Sequence, residues 1–162
     1  MRPLSRYRPR SPSGWTIAVF GLLATALGVV GLAAPDALLT VMGFTPVPEG
    51  RRADGDHTLM FLTASSMAAV NMGVYYMLAA VADWRAFFRW TVPFRLLTCA
   101  VFLLAVASGR APAGFAGVGL WEGLGALATG VALRYERRAA GAVTDGGAPG
   151  PAARRRGAPP PR

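Results

Sequence analysis

The chain has 162 residues, 53% hydrophobic and only 15% charged, with a net charge of +9 and a mean hydropathy of +0.38. A soluble domain carries roughly 25% charged residues and scatters its apolar ones by amphipathic periodicity, whereas here they gather into four long blocks. One cysteine and one histidine exclude an intramolecular disulfide and a bis-imidazole haem, the absence of lysine excludes Schiff-base chemistry, and no phosphate-cradling glycine pattern follows a candidate strand.

The first block runs from Trp15 to Ala33 without a formal charge. In the loop that follows, Ala34 to His57, Pro35-Asp36 opens a short helix through Phe44. Leu38, Val41 and Met42 share one of its faces, so the segment is expected to lie on the outer membrane interface. The second block, Thr58 to Ala82, is also uncharged. The third, about Thr91 to Ser108, carries Arg95 near its start, and the fourth, about Gly114 to Leu133, carries Glu122. A helix needs roughly 20 residues to cross about 30 Å of hydrocarbon. The expected fold is therefore all-α: a polytopic membrane protein built as a four-transmembrane-helix bundle, with a short external interfacial helix. No block alternates at period two, so a barrel is excluded.

A cleaved signal peptide is the competing reading of the first block, given its basic start and the small residues at Ala33 and Ala34. Against it, the apolar run is long and Pro35 directly follows a candidate cleavage point. Three remaining spans would also put the Arg-rich second loop and tail on opposite sides. The expected organisation is a basic segment 1–14, a transmembrane domain 15–133 and a basic, disordered tail 134–162, which from Ala139 holds almost no bulky apolar residue.

All seventeen basic residues are Arg, as a GC-rich genome would encode. Arg2, Arg6, Arg8 and Arg10, then Arg85, Arg89 and Arg95, then seven tail arginines fall on one side, against Arg51, Arg52 and Arg110 on the other. The positive-inside rule puts both termini in the cytoplasm. The charge then orients the chain at an anionic leaflet, so membrane lipids rather than nucleic acid are the expected partners. Trp15, Trp84, Trp90, Tyr7 and Tyr135 fall at that boundary as interfacial anchors.

Small residues at spacings of three and four make packing stripes in the first span (Gly14, Ala18, Gly21, Thr25, Gly28) and in the fourth (Gly119, Gly123, Ala126, Gly130). At 1.5 Å per residue Glu122 lies about 16 Å from the cytoplasmic end of its span, near the midplane. Asn71 and Thr25 fall at similar depth, Thr98 and Cys99 slightly nearer the cytoplasm, and Tyr75 extends the Asn71 face. A midplane acid costs roughly 2.5–3.5 kcal/mol on insertion scales. Its neutral form would offer a donor and an acceptor to Asn71 or Thr25. Arg95 can reach inward to Glu122 or snorkel outward to headgroups. Trp121 can wall a pocket beside Glu122. Asp54-Gly-Asp-His57 beside Arg51 and Arg52 reads as a turn and helix cap rather than a metal site. Cys99 reads as an inert small apolar residue.

The segments Gly73-Val-Tyr-Tyr-Met-Leu-Ala-Ala80 and Phe87-Phe-Arg-Trp-Thr-Val-Pro-Phe-Arg95, with Trp121-Glu-Gly-Leu-Gly-Ala126, resemble small bacterial four-helix membrane proteins of the DoxX-like type. That resemblance implies a bacterial plasma membrane and transfers no catalytic residue. Small multidrug transporters carry their membrane glutamate in the first helix, where this chain has no acid. Glu122 with Trp121 and Asn71 is similar in logic to the pocket of emopamil-binding sterol isomerases, but supplies one acid where an acid/base pair is needed.

The leading expectation is a membrane protein that holds a small lipophilic ligand around Glu122, with Asn71, Tyr75, Arg95, Thr25 and Trp121 as contacts and no cofactor or metal. The first alternative is an isomerase- or cyclase-type enzyme on a lipid or terpenoid-like substrate, with Glu122 as proton donor. The second is an assembly subunit whose stripes bind partner helices or a second copy.

Overall fold

A computed structural model of the chain describes residues 8–146. Five α-helices follow in order: α1 Pro12–Ala33, α2 Pro35–Val41, α3 Thr58–Val81, α4 Arg85–Ala107 and α5 Gly114–Gly146, with one 3-10 turn at Glu49–Arg51. Among the described residues there is no strand. Four of the helices, all but α2, are long and apolar enough to cross a membrane.

Each helix starts where local chemistry allows. Ser11 caps α1, its Oγ accepting from the Gly14 N–H at 3.0 Å, and Pro12 stands where a free N–H would have no partner. Pro35 opens α2 in the same way. Gly43, at φ +85°, turns the chain out of α2 in a backbone region that side chains with a Cβ disfavour. Asp56 serves α3: its Oδ1 accepts from the Thr58 N–H at 2.9 Å and its Oδ2 meets Arg52 Nη1 at 3.2 Å. The Asp54–His57 stretch is thus a turn in which Asp56 satisfies the first N–H of α3, while His57 at the N-cap position makes no side-chain cap bond.

Two boundaries differ from the sequence reading by more than a helical turn, and α1 starts three residues before Trp15. The helix of the third span begins at Arg85, so Arg85 and Arg89 are its first turns and not part of a loop. An apolar-block criterion stops at a charge, whereas the backbone does not, and arginine stems lie along apolar surface with their heads in water. The fourth helix continues past Leu133 to Gly146, so residues 134–146 are helical rather than disordered. The run Arg134-Tyr-Glu-Arg-Arg-Ala-Ala140 is made mostly of strong helix formers, which needs no apolar face. The rest of the expected disordered tail, and Arg2, Arg6 and Tyr7, lie outside the described residues.

α1 packs chiefly on α3 and also on α5, while α4 packs chiefly on α5. The α1 glycine stripe is the α3 contact. A Cβ on Gly21 would stand 2.7 Å from the Gly73 carbonyl oxygen, and one on Gly28 2.6 Å from that of Ser66. Glycine at these positions lets the two helix backbones meet directly. The α5 stripe serves α4 likewise, Gly119 against the Cys99 carbonyl and Gly123 against the Cys99 thiol. Ile17, Phe20, Tyr76, Ala79, Ala80 and Phe88 form the buried core. Large apolar side chains such as Leu22, Leu78, Leu104 and Leu124 point outward.

Candidate functional site

Arg95 and Glu122 meet. Antiparallel packing of α4 on α5 brings Arg95 Nε to Glu122 Oε2 at 3.0 Å, with Arg95 only 3% exposed. The guanidinium lies flat against Phe20 of α1, its Cζ 3.3 Å from the ring centroid. On its other side it occupies the space that a Cβ on Gly125 would need. A cation over an aromatic face gains from the ring quadrupole, most when water is excluded. Its two Nη atoms are buried and make no hydrogen bond among the described residues.

Aromatic rings from every long helix surround this pair. Phe20 stacks on Trp121 at 5.4 Å between centroids and meets Tyr76 at 5.2 Å. The Tyr76 hydroxyl is hydrogen-bonded to that of Thr91, and the edge of Phe87 meets the Tyr76 ring at 5.0 Å. Among the described tyrosines, Tyr76 is therefore the buried one. Tyr75, one residue and about 100° away on the helix, is 57% exposed.

Beyond Trp121, toward the end of the bundle that carries α2, lies a cavity of about 570 Å³. Leu27 of α1, Leu62 and Ser66 of α3, Phe102 of α4, and Val118 and Trp121 of α5 line it, under Leu38, Val41 and Met42 of α2. The three α2 residues do share a face, and that face roofs the cavity. The turn after α2 holds the roof on α5, with Met42 backbone against Gly114 and Phe44 edge-on to Phe115 at 5.7 Å. Two serines belong to the mostly apolar lining: the Ser65 hydroxyl donates to the Leu62 carbonyl at 3.0 Å, and the Ser66 hydroxyl is buried and unpartnered against Gly31 of α1.

The remaining candidates fall elsewhere. Thr25 Oγ1 donates back to the Gly21 carbonyl at 2.9 Å in its own helix and packs against Gly73. Asn71 is exposed on the outward face of α3 and makes no side-chain hydrogen bond among the described residues. The layer joining Glu122 to Asn71, Tyr75 and Thr25 is not formed; the partner of Glu122 is Arg95.

A second polar cluster, absent from the sequence reading, closes the opposite end. Glu136 of α5 accepts from the Ser13 N–H at 2.7 Å and from the Ser13 hydroxyl at 2.9 Å, and pairs with Arg85. Arg85 also meets Asp83 at 3.1 Å, and Asp83 accepts from the Ser11 hydroxyl at 2.9 Å. Thr129, seven residues from both Glu122 and Glu136, is fully buried and bonded to Thr16 at 3.0 Å. That seven-residue repeat was the available signal. Glu136 lies outside the apolar block and so escaped it.

Comparison with protein-family models, with curated proteins and with solved structures finds no match to this chain, so nothing there supports the resemblance to DoxX-like proteins.

Proposed function

We propose that the chain crosses a bacterial plasma membrane four times, with both termini cytoplasmic, and holds a small lipophilic molecule in the cavity beneath α2. The observation that carries this reading is the cavity itself. Its volume suits a small ligand and its wall is mostly apolar: of its two serines, Ser65 donates to the Leu62 carbonyl and Ser66 has its hydroxyl buried against Gly31 of α1. Ligand sites combine mostly apolar walls with a few polar groups that fix orientation. A largely apolar lipophile matches that lining. Glu122 does not line the cavity, and one of its oxygens is engaged by Arg95. Holding is thus better supported than proton transfer by Glu122.

Gly117 gives the test, because it lines the cavity and a Cβ there meets nothing within 4 Å. Gly117→Leu should fill the space without disturbing the bundle. Native mass spectrometry of protein released from lipid particles should show a discrete bound lipophile in the wild type and its loss in Gly117→Leu. An identical bound mass in both would overturn the reading.

A further inference from the structure

The outward face of α3 carries Phe61, Ala64, Ala68, Asn71, Tyr75 and Leu78, spaced three, four, three, four and three residues apart, and all six are exposed. This alternation keeps one seam facing a partner in left-handed helix packing. α3 stands at the edge of the bundle, packed mainly on α1 through its opposite side, where Ser66, Gly73 and Ala80 are buried. At the middle of the seam the Asn71 amide has no partner among the described residues. On the reading of α3 as a span, that amide stands in hydrocarbon, where an unsatisfied polar group is costly.

We infer that α3 is the contact of a parallel homodimer in which Asn71 of each copy hydrogen-bonds to Asn71 of the other. Three arguments select a second copy. Copies inserted in one membrane share one orientation, so a two-fold axis along the membrane normal brings the same level of α3 face to face. An amide carries both donors and an acceptor, so the residue complements itself across that axis. Ala64 and Ala68 flank one side of Asn71 and allow close backbone approach, while Phe61, Tyr75 and Leu78 supply packing area towards the ends. The inference uses the face opposite α1 and is independent of what the cavity holds.

Cysteine cross-linking in native membranes tests it, in a Cys99→Ala background that removes the one native thiol. Under mild oxidation Ala64→Cys, Ala68→Cys and Tyr75→Cys should each give a disulfide-linked dimer. Val74→Cys, off the seam, and Leu104→Cys, on the exposed face of α4, should not. Asn71→Leu should weaken self-association in lipid bilayers roughly 5- to 30-fold, the worth of one to two kilocalories of interhelical hydrogen bonding, and Asn71→Gln should largely retain it. Asn71 is exposed in the protomer, so neither change disturbs its packing. A monomer at all densities, cross-linking that ignores the three-four spacing, or a dimer unaffected by Asn71→Leu would overturn the proposal.

Discussion

Gly125 of α5 is the floor on which Arg95 of α4 lies: the guanidinium fills the space that any side chain at position 125 would require. With Phe20 above and Glu122 at its edge, the cation is held in one place by three helices. Gly125→Ala should therefore destabilise the bundle by about 1–3 kcal/mol, the usual cost of overpacking. Gly117→Ala, where nothing is met, should be mildly stabilising, by about 0.5–1 kcal/mol. Thermal unfolding in detergent or lipid particles compares the two. Equal midpoints would contradict the packing of Arg95 on Gly125.

Removing one member of the charge pair should cost more than removing both. Arg95→Met leaves Glu122 without its partner, and breaking a buried pair typically costs about 3–5 kcal/mol. Adding Glu122→Gln to Arg95→Met should restore part of that loss, since the remaining group is neutral. A double-mutant cycle on unfolding free energy checks the sign. A double variant no more stable than Arg95→Met would show that the two residues act separately.

At the other end, Glu136 satisfies the backbone N–H of Ser13, one of the donors a helix N-terminus leaves unpaired. Glu136→Ala should fray the first turn of α1 and cost about 1–2 kcal/mol. Hydrogen exchange should speed up at Ser13 and Gly14 while the α4–α5 contact stays protected.

One effect of pH is confined to the loop. Hydrogen bonds from the Thr58 hydroxyl and then the Thr58 N–H, with the charge of Arg52 beside them, hold the Asp56 carboxyl below its ordinary value of 3.8. The Asp56 contact to Thr58 therefore supports the start of α3 fully above that value and is lost as pH falls through the lower, folded-state one. The amide proton of Thr58 should titrate with a midpoint below 3.8 in the wild type and not at all in Asp56→Asn. A midpoint at or above 3.8 would remove that contact from the account of α3.

The four long apolar helices were legible from the sequence, and Arg95 and Glu122 stood out as charges at depth, because long uncharged blocks and isolated charges are signals of composition. That Arg95 turns inward to Glu122 rather than outward is a finding of the structure. The direction each side chain faces was not legible. Asn71 and Tyr75 were expected inside and Tyr76 was passed over, although a single residue step separates the two tyrosines. In a soluble helix the apolar stripe marks the core. α3 is apolar almost all round, so hydropathy carries no phase, and its one glycine was a better guide: Gly73 faces α1, and so does Tyr76 three residues on. Phe20 had no signal at all, since a phenylalanine facing lipid and one under a guanidinium look alike in sequence.

Arg95 and Glu122 also sit on consecutive helices joined by the short connection from Ser108 to Ala113. As the chain is made, α1 and α3 emerge first and can join glycine to glycine without a buried ion between them. The two opposite charges then arrive together in one helical hairpin and can neutralise each other before it docks. Phe20 is waiting on the earlier pair to close over the guanidinium. On the proposed reading of these helices as spans, the order of the chain would spare the membrane from receiving either charge alone, and an α4 synthesised without α5 should be the fragment that inserts poorly.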